Sequence, residues 1–111
     1  DPDPLVVRAG IAAICEPRLL GVPETAAAAI TACRAATDHL ARTPQQRRRG
    51  PAVRTLRQGL GYCWSVAVAG DPDAGLPAFA ALDVADPDLA WVVRENRRKK
   101  RLAGLLAAVP G

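Results

Sequence analysis

Apolar positions recur along the chain with helical spacing, and Pro, Gly and Asp-Pro punctuation cuts them into five or six segments. Asp3-Pro4 opens the first, because Asp accepts from free helix N–H groups and Pro suits a first turn. Val7, Ile11 and Ile14 then follow at i, i+4 and i+7, and the helix runs to about Cys15 before Pro17 ends it. Gly21 and Pro23 mark a turn, and Pro23-Glu24 starts a long helix to about Arg42. The stretch from Thr25 to Ala36 is nearly all small residues, which lets neighbouring helices approach closely. After a connection from Thr43 to Gly50, Pro51 begins the cleanest pattern of the chain: Val53, Leu56, Leu60, Cys63, Trp64 and Ala67 on one stripe. Arg54, Arg57, Gln58 and Gly61 fall on its opposite, polar face. Gly59 and Gly61 each cost about 1 kcal/mol of helix propensity against Ala, so they imply a tight contact or a bend. Gly70-Asp71-Pro72 introduces a short helix over about 73–82 with Leu76, Phe79, Ala80 and Leu82 as its apolar set; Pro77 is tolerated in its first turn. Asp86-Pro87 opens a helix that packs Leu89, Val92 and Val93, with Asn96 one turn further along the same stripe. The apolar phase restarts at Leu102, Leu105, Leu106 and Val109, which predicts a break near residues 96–100 and a last helix ending at Pro110-Gly111. One unbroken helix over 87–108 is the alternative.

A larger period overlies these segments. A turn with Asp-Pro or Gly-Pro precedes a Val-Arg pair early in a helix at Val7-Arg8, Val53-Arg54 and Val93-Arg94, separated by 46 and 40 residues. Helix-pair repeats of the HEAT and armadillo class have periods of roughly 40–47 residues. The Val is expected to enter the inter-helix core, and the Arg to run along the surface toward an acidic residue of a neighbouring turn. Units of about 1–43, 44–84 and 85–111 follow. Each has more apolar surface than it can bury alone, so it stacks on the next.

Asp3-Pro4-Leu5-Val6-Val7-Arg8-Ala9 resembles a HEAT first helix. The stretches from Leu56 to Val66 and from Asp86 to Asn96 are similar to the C-terminal repeats of bacterial HEAT-repeat proteins, of a type met in actinobacteria. The resemblance spans nearly the whole chain. It implies an all-α fold: a right-handed α-α superhelix of about three helix pairs, five or six helices in one domain. It implies a non-catalytic scaffold for protein–protein interaction, because fold alone does not carry chemistry. The short helix over 73–82 departs from the pattern. So do Asn96 and the basic run after it, which marks the third unit as a terminal cap.

Composition agrees with stacked helices. The 111 residues are half apolar, but 23 of them are Ala and only Tyr62, Trp64, Phe79 and Trp91 are aromatic. That excludes a disordered chain and disfavours a β-sandwich or barrel. The sequence holds no Met, including at position 1, which reads as a piece of a longer array whose exposed repeat end is available for self-association.

Charge is uneven. The net charge is +4, yet the windows 42–57 and 94–101 together carry +11 and the rest −7. Arg94, Arg97, Arg98, Lys99, Lys100 and Arg101, with Trp91 beside them, form the first candidate contact surface, and Arg47, Arg48 and Arg49 the second. A solvated helix face is the plain account of such runs. The sharper one is an acidic protein partner, since Trp and Arg anchor interfaces. Nucleic acid bound through the same arginines, as in HEAT-like glycosylases for alkylated DNA, is the alternative.

Other chemistry has little support. Cys15, Cys33 and Cys63 lie 18 and 30 residues apart in apolar stretches, and His39 is the one histidine, so neither a metal site nor a cofactor is expected. Scattered odd thiols fit a reducing, cytoplasmic setting, and no apolar run is long enough to span a membrane. Cys63 has no base spaced to serve it and reads as core, like Trp64. His39 reads as a helix-terminus residue. The pairs Asp71/Asp73 and Asp86/Asp88 could act as acid and base, but helix capping accounts for both.

Overall fold

A computed structural model describes residues 3–14 and 23–108. Six α-helices follow one another: α1 (Pro4–Ile14), α2 (Pro23–Arg42), α3 (Pro51–Gly70), α4 (Pro72–Ala80), α5 (Pro87–Arg97) and α6 (Lys100–Ala108). A short 3-10 turn, Gln45–Arg47, lies between α2 and α3, and no strand occurs among the described residues. The expectations for the Ile14 side chain, Cys15, Pro17, Gly21 and residues 109–111 lie outside the described residues.

Proline sets the starts. Pro51, Pro72 and Pro87 occupy the first helical turn, where a missing N–H costs nothing. Asp3, Asp71 and Asp86 precede Pro4, Pro72 and Pro87 and cap the exposed donors: Asp3 accepts from Leu5 N–H at 2.7 Å, Asp71 from Ala74 N–H at 3.3 Å and Asp86 from Asp88 N–H at 2.9 Å. The chain breaks between α5 and α6 at Arg98 and Lys99, so the two-helix reading of 87–108 holds.

The third helix is the hub. It packs against α1, α2, α4, α5 and α6, while α2 also meets α1, α4 and α5. The sequence assigned α3 a polar face, and here the structure differs. Every residue from Cys63 to Val68 is buried, Gly61 is buried, and Arg57 is half-buried. The reason is that α5 covers that face: a Cβ built on Gly61 would stand 2.9 Å from the Trp91 ring. Gly61 thus serves a close approach rather than a bend. The whole measures 39 × 29 × 19 Å, with a radius of gyration of 13.2 Å. That matches the roughly 13 Å typical of a compact domain of about 100 residues.

The core joins α2 to α3. Ala26, Ala29, Ile30, Cys33, Ala36 and Leu40 face Leu56, Leu60, Trp64 and Ala67, all buried. Small side chains on α2 make room for the Trp64 ring, whose Nε1–H donates to Thr37 Oγ1 at 2.9 Å. The Thr37 hydroxyl in turn donates to the Cys33 carbonyl at 2.7 Å, so no polar atom of the pair is wasted. Phe79 of α4 tilts against Trp64 with ring centroids 5.8 Å apart. Of the repeated Val-Arg pairs, Val53 is buried while Val7 and Val93 are half-buried; Arg8, Arg54 and Arg94 are exposed.

Gly75 lets α4 cross α3. A Cβ there would lie 2.8 Å from Val68 Cα, which is backbone and cannot yield cheaply. Gly104 of α6 has nothing within 4 Å of its Cβ position. Gly75→Ala is therefore expected to lower stability by about 1–3 kcal/mol. Gly104→Ala should raise it by up to about 1 kcal/mol. Urea melts of the two variants check the contrast in sign.

Candidate functional site

The basic residues of 94–101 do not form one patch. Helical rotation distributes them over three directions. Val93 and Arg97, one turn apart on α5, line a groove shared with α4 and α6. Arg94 and Arg98 occupy the exposed outer face, where Arg98 pairs with Glu95 at 3.1 Å. Trp91 and Glu95 turn toward Gly61 of α3. Beyond the break, Lys99 and Arg101 reach across to α3. Their charged groups stand 5.9 and 5.5 Å from the centroid of Tyr62, which is 41% exposed. Lys100, at the start of α6, is exposed.

The groove has a volume of about 670 Å³. Leu76, Phe79 and Val84 supply one wall, Val93 and Leu106 the other, and Asp73 and Arg97 stand at its charged edges. Val84 is 57% exposed. Sequence reasoning found the apolar set of the short helix but not this groove. Its lining comes from a loop and three helices, and no single periodicity links them.

The second candidate set, Arg47, Arg48 and Arg49, needs correction. Arg47 and Arg49 are exposed, but the Arg48 side chain is only 8% exposed and is withdrawn from any contact surface. Its guanidinium donates to the carbonyls of Ala41 (2.9 Å) and Thr43 (2.8 Å) at the end of α2. The same group donates to both carboxylate oxygens of Asp86 at 2.7 Å and to Asp88 Oδ2 at 3.1 Å. It thus satisfies open carbonyls at one helix end and pairs with the cap of another.

Capping accordingly explains only part of the Asp86/Asp88 pair. Asp86 is both the α5 cap and the Arg48 partner. Asp88 accepts no cap bond; it lies between Arg48 and Arg57, with Arg57 Nε 2.8 Å from Asp88 Oδ1. The Arg57 N–H is not aimed at that oxygen. Arg57 also sits over Trp91, its guanidinium carbon 3.9 Å from the ring centroid. Trp91 is therefore held between Gly61 and Arg57 rather than presented as a free anchor.

Burial alone would push the Asp86 carboxyl up. It is outweighed by the Arg48 hydrogen bonds, the N–H groups of Asp88 and Leu89 and the Arg48 charge, so its pKa lies below the ordinary value. Arg48 shifts the other way: burial would lower it, and the bonds to Asp86 and Asp88 raise it.

Cys63 and Trp64 are core, as is Cys33. His39 is half-buried in the last turn of α2. Asp71 caps α4, and Asp73 is exposed. Among the described residues, no group of three or more His, Cys, Asp or Glu is placed to hold a metal ion. No described helix is long and apolar enough to cross a membrane. Comparison with family models, curated proteins and solved structures finds no match to the chain.

Proposed function

We propose that this chain is a non-catalytic scaffold of HEAT-like helix pairs that docks an acidic, amphipathic helical segment of a partner protein. The superhelical reading is supported by the neighbour relations of the helices. First helices adjoin in order, α1 on α3 and α3 on α5, and the second helix α2 adjoins the second helix α4. The last helix, α6, folds onto α3 instead, as a terminal cap would.

The observation that carries the docking proposal is the groove between α4, α5 and α6. It offers an apolar floor for helix-in-groove recognition. Arg97 at its edge gives the cation that an acidic residue on the partner face would meet. The test is fluorescence anisotropy with a labelled amphipathic helical peptide carrying Glu on its polar face, against a twin carrying Lys. The acidic peptide is expected to bind at least tenfold more tightly, and Arg97→Glu or Val84→Glu to weaken it tenfold or more. Equal binding of the two peptides, or no effect of Arg97→Glu, overturns the proposal.

One observation favours a second reading, nucleic-acid binding. Exposed Tyr62 between Lys99 and Arg101 combines a stacking surface with phosphate-seeking charge. That reading expects short DNA to bind at low salt with a steep salt dependence, lost on Tyr62→Ala. Base excision is not part of it, since Asp86 and Asp88 are spent on Arg48 and Arg57.

A further inference from the structure

Two adjoining hollows of contrasting chemistry lie along α1 and α2. The first, about 440 Å³, is lined by His39 and Arg42 of α2, by Thr43, Pro44 and Arg47 of the connection, by Asp3 and Pro4 at the start of α1, and by Val53 of α3. Its single acid, Asp3, is already engaged as a cap by Leu5 N–H. Arg47 is exposed, and neither it nor His39 has a side-chain hydrogen bond or ion pair among the described residues. Arg42 makes only a long 3.4 Å contact with its own helix.

The second hollow, about 350 Å³, is lined by Val7, Gly10 and Ile11 of α1 and by Ala32, Ala35 and Ala36 of α2. His39 and Arg42 line both, so the two are continuous. A cationic head end thus opens into an apolar trough between two helices. The trough runs from Ala32 to Arg42, about 15 Å along the helix axis. Val7, Ile11 and three alanines line it, and a Cβ on Gly10 would meet nothing within 4 Å, which leaves open space beside them for an alkyl chain.

We propose that this is a binding site for a monomeric anionic amphiphile, with its carboxylate or phosphate on Arg42, Arg47 and His39 and its alkyl chain in the α1–α2 trough. The chemistry requires both halves. A free anion would gain nothing from the alanine-lined trough. A neutral alkyl ligand would leave the cations without partners. Apolar pockets with a few converging polar groups are the usual form of small-ligand sites. The site is separate from the α4–α6 groove, so the docking proposal can fail without affecting it.

Isothermal titration of the folded chain with dodecyl phosphate and with dodecanoate, each below its micellar concentration, tests the site. Both are expected to bind with one-site stoichiometry. Arg42→Gln/Arg47→Gln should weaken both tenfold or more. Gly10→Leu, which fills the trough while favouring helix, should do the same without lowering the thermal midpoint. Three outcomes overturn the proposal: inorganic phosphate binding as tightly as dodecyl phosphate, dodecanol binding as tightly as either, or phosphatidylglycerol vesicles capturing the chain while the monomers do not. Unchanged binding in Gly10→Leu, verified folded by circular dichroism, does so as well.

Discussion

Asn96→Leu is expected to destabilise the chain by about 2–4 kcal/mol, although leucine matches the stripe on which Asn96 sits. The side chain is fully buried. Its Oδ1 accepts the Ser65 N–H at 2.9 Å, and its Nδ2 donates to the carbonyls of Leu60 at 2.8 Å and Val92 at 2.7 Å. Leu60 and Ser65 are five residues apart on α3, one more than the regular helical ladder joins. The Asn96 amide therefore spans a turn of α3 from outside and ties it to α5. Leucine removes all three bonds of that bridge and sets an apolar side chain against buried backbone polar groups. For a domain of this size, such a loss lowers the thermal midpoint by roughly 10–20 °C. Asn96→Asp separates the bridge from mere volume. It keeps the acceptor for Ser65 but turns a carboxylate toward two carbonyls. It should be worse than leucine at neutral pH and partly recover as acid protonates it. Urea melts at both pH values decide; a leucine variant as stable as the parent contradicts the bridging account.

Asn96 also shows where the sequence stops informing. The helix starts are legible because their causes are local: Asp-Pro and Gly-Pro pairs announce themselves within two residues. The inward stripes of α2 and α3 are legible for the same reason. Asn96 could be seen only as an interruption, since its partners are backbone atoms 31 and 36 residues away. The buried side of α3 at Arg57 and Gly61 was illegible because α5, about 30 residues further along the chain, covers it. Arg47, Arg48 and Arg49 are identical in sequence, and the turn before α3 alone selects the middle one for the interior. Of the candidate site, the basic composition was legible. Its division among groove, solvent and Tyr62 depends on rotation about α5 and on the break at Arg98, and so was not.

Arg48→Met is expected to cost about 2–3 kcal/mol, and Arg48→Lys to recover little of it. Arg48 ties three parts of the chain that are distant in sequence: the last carbonyls of α2, the connection to α3 and the first turn of α5. Methionine fills much of the volume but leaves Asp86 and Asp88 side by side without their shared cation. Both carboxylates keep some water contact, at 15% and 21% exposed, so the loss falls short of that for a fully enclosed pair. Lysine brings charge without the planar fork that reaches Ala41, Thr43 and Asp86 together. The acid limb provides a second readout. Because the folded-state pKa of Asp86 is depressed, its contribution is fully present above the unfolded value of about 4. It is lost as pH falls through the lower folded value. Stability of the parent should therefore decline on acidification below about pH 4, and the decline should be shallower in Arg48→Met. Urea midpoints across that range measure both slopes. Asp86→Ala completes a double-mutant cycle: if Arg48 acts through Asp86, the two losses must be strongly non-additive, and simple additivity would separate the helix-end bonds of Arg48 from its ion pair.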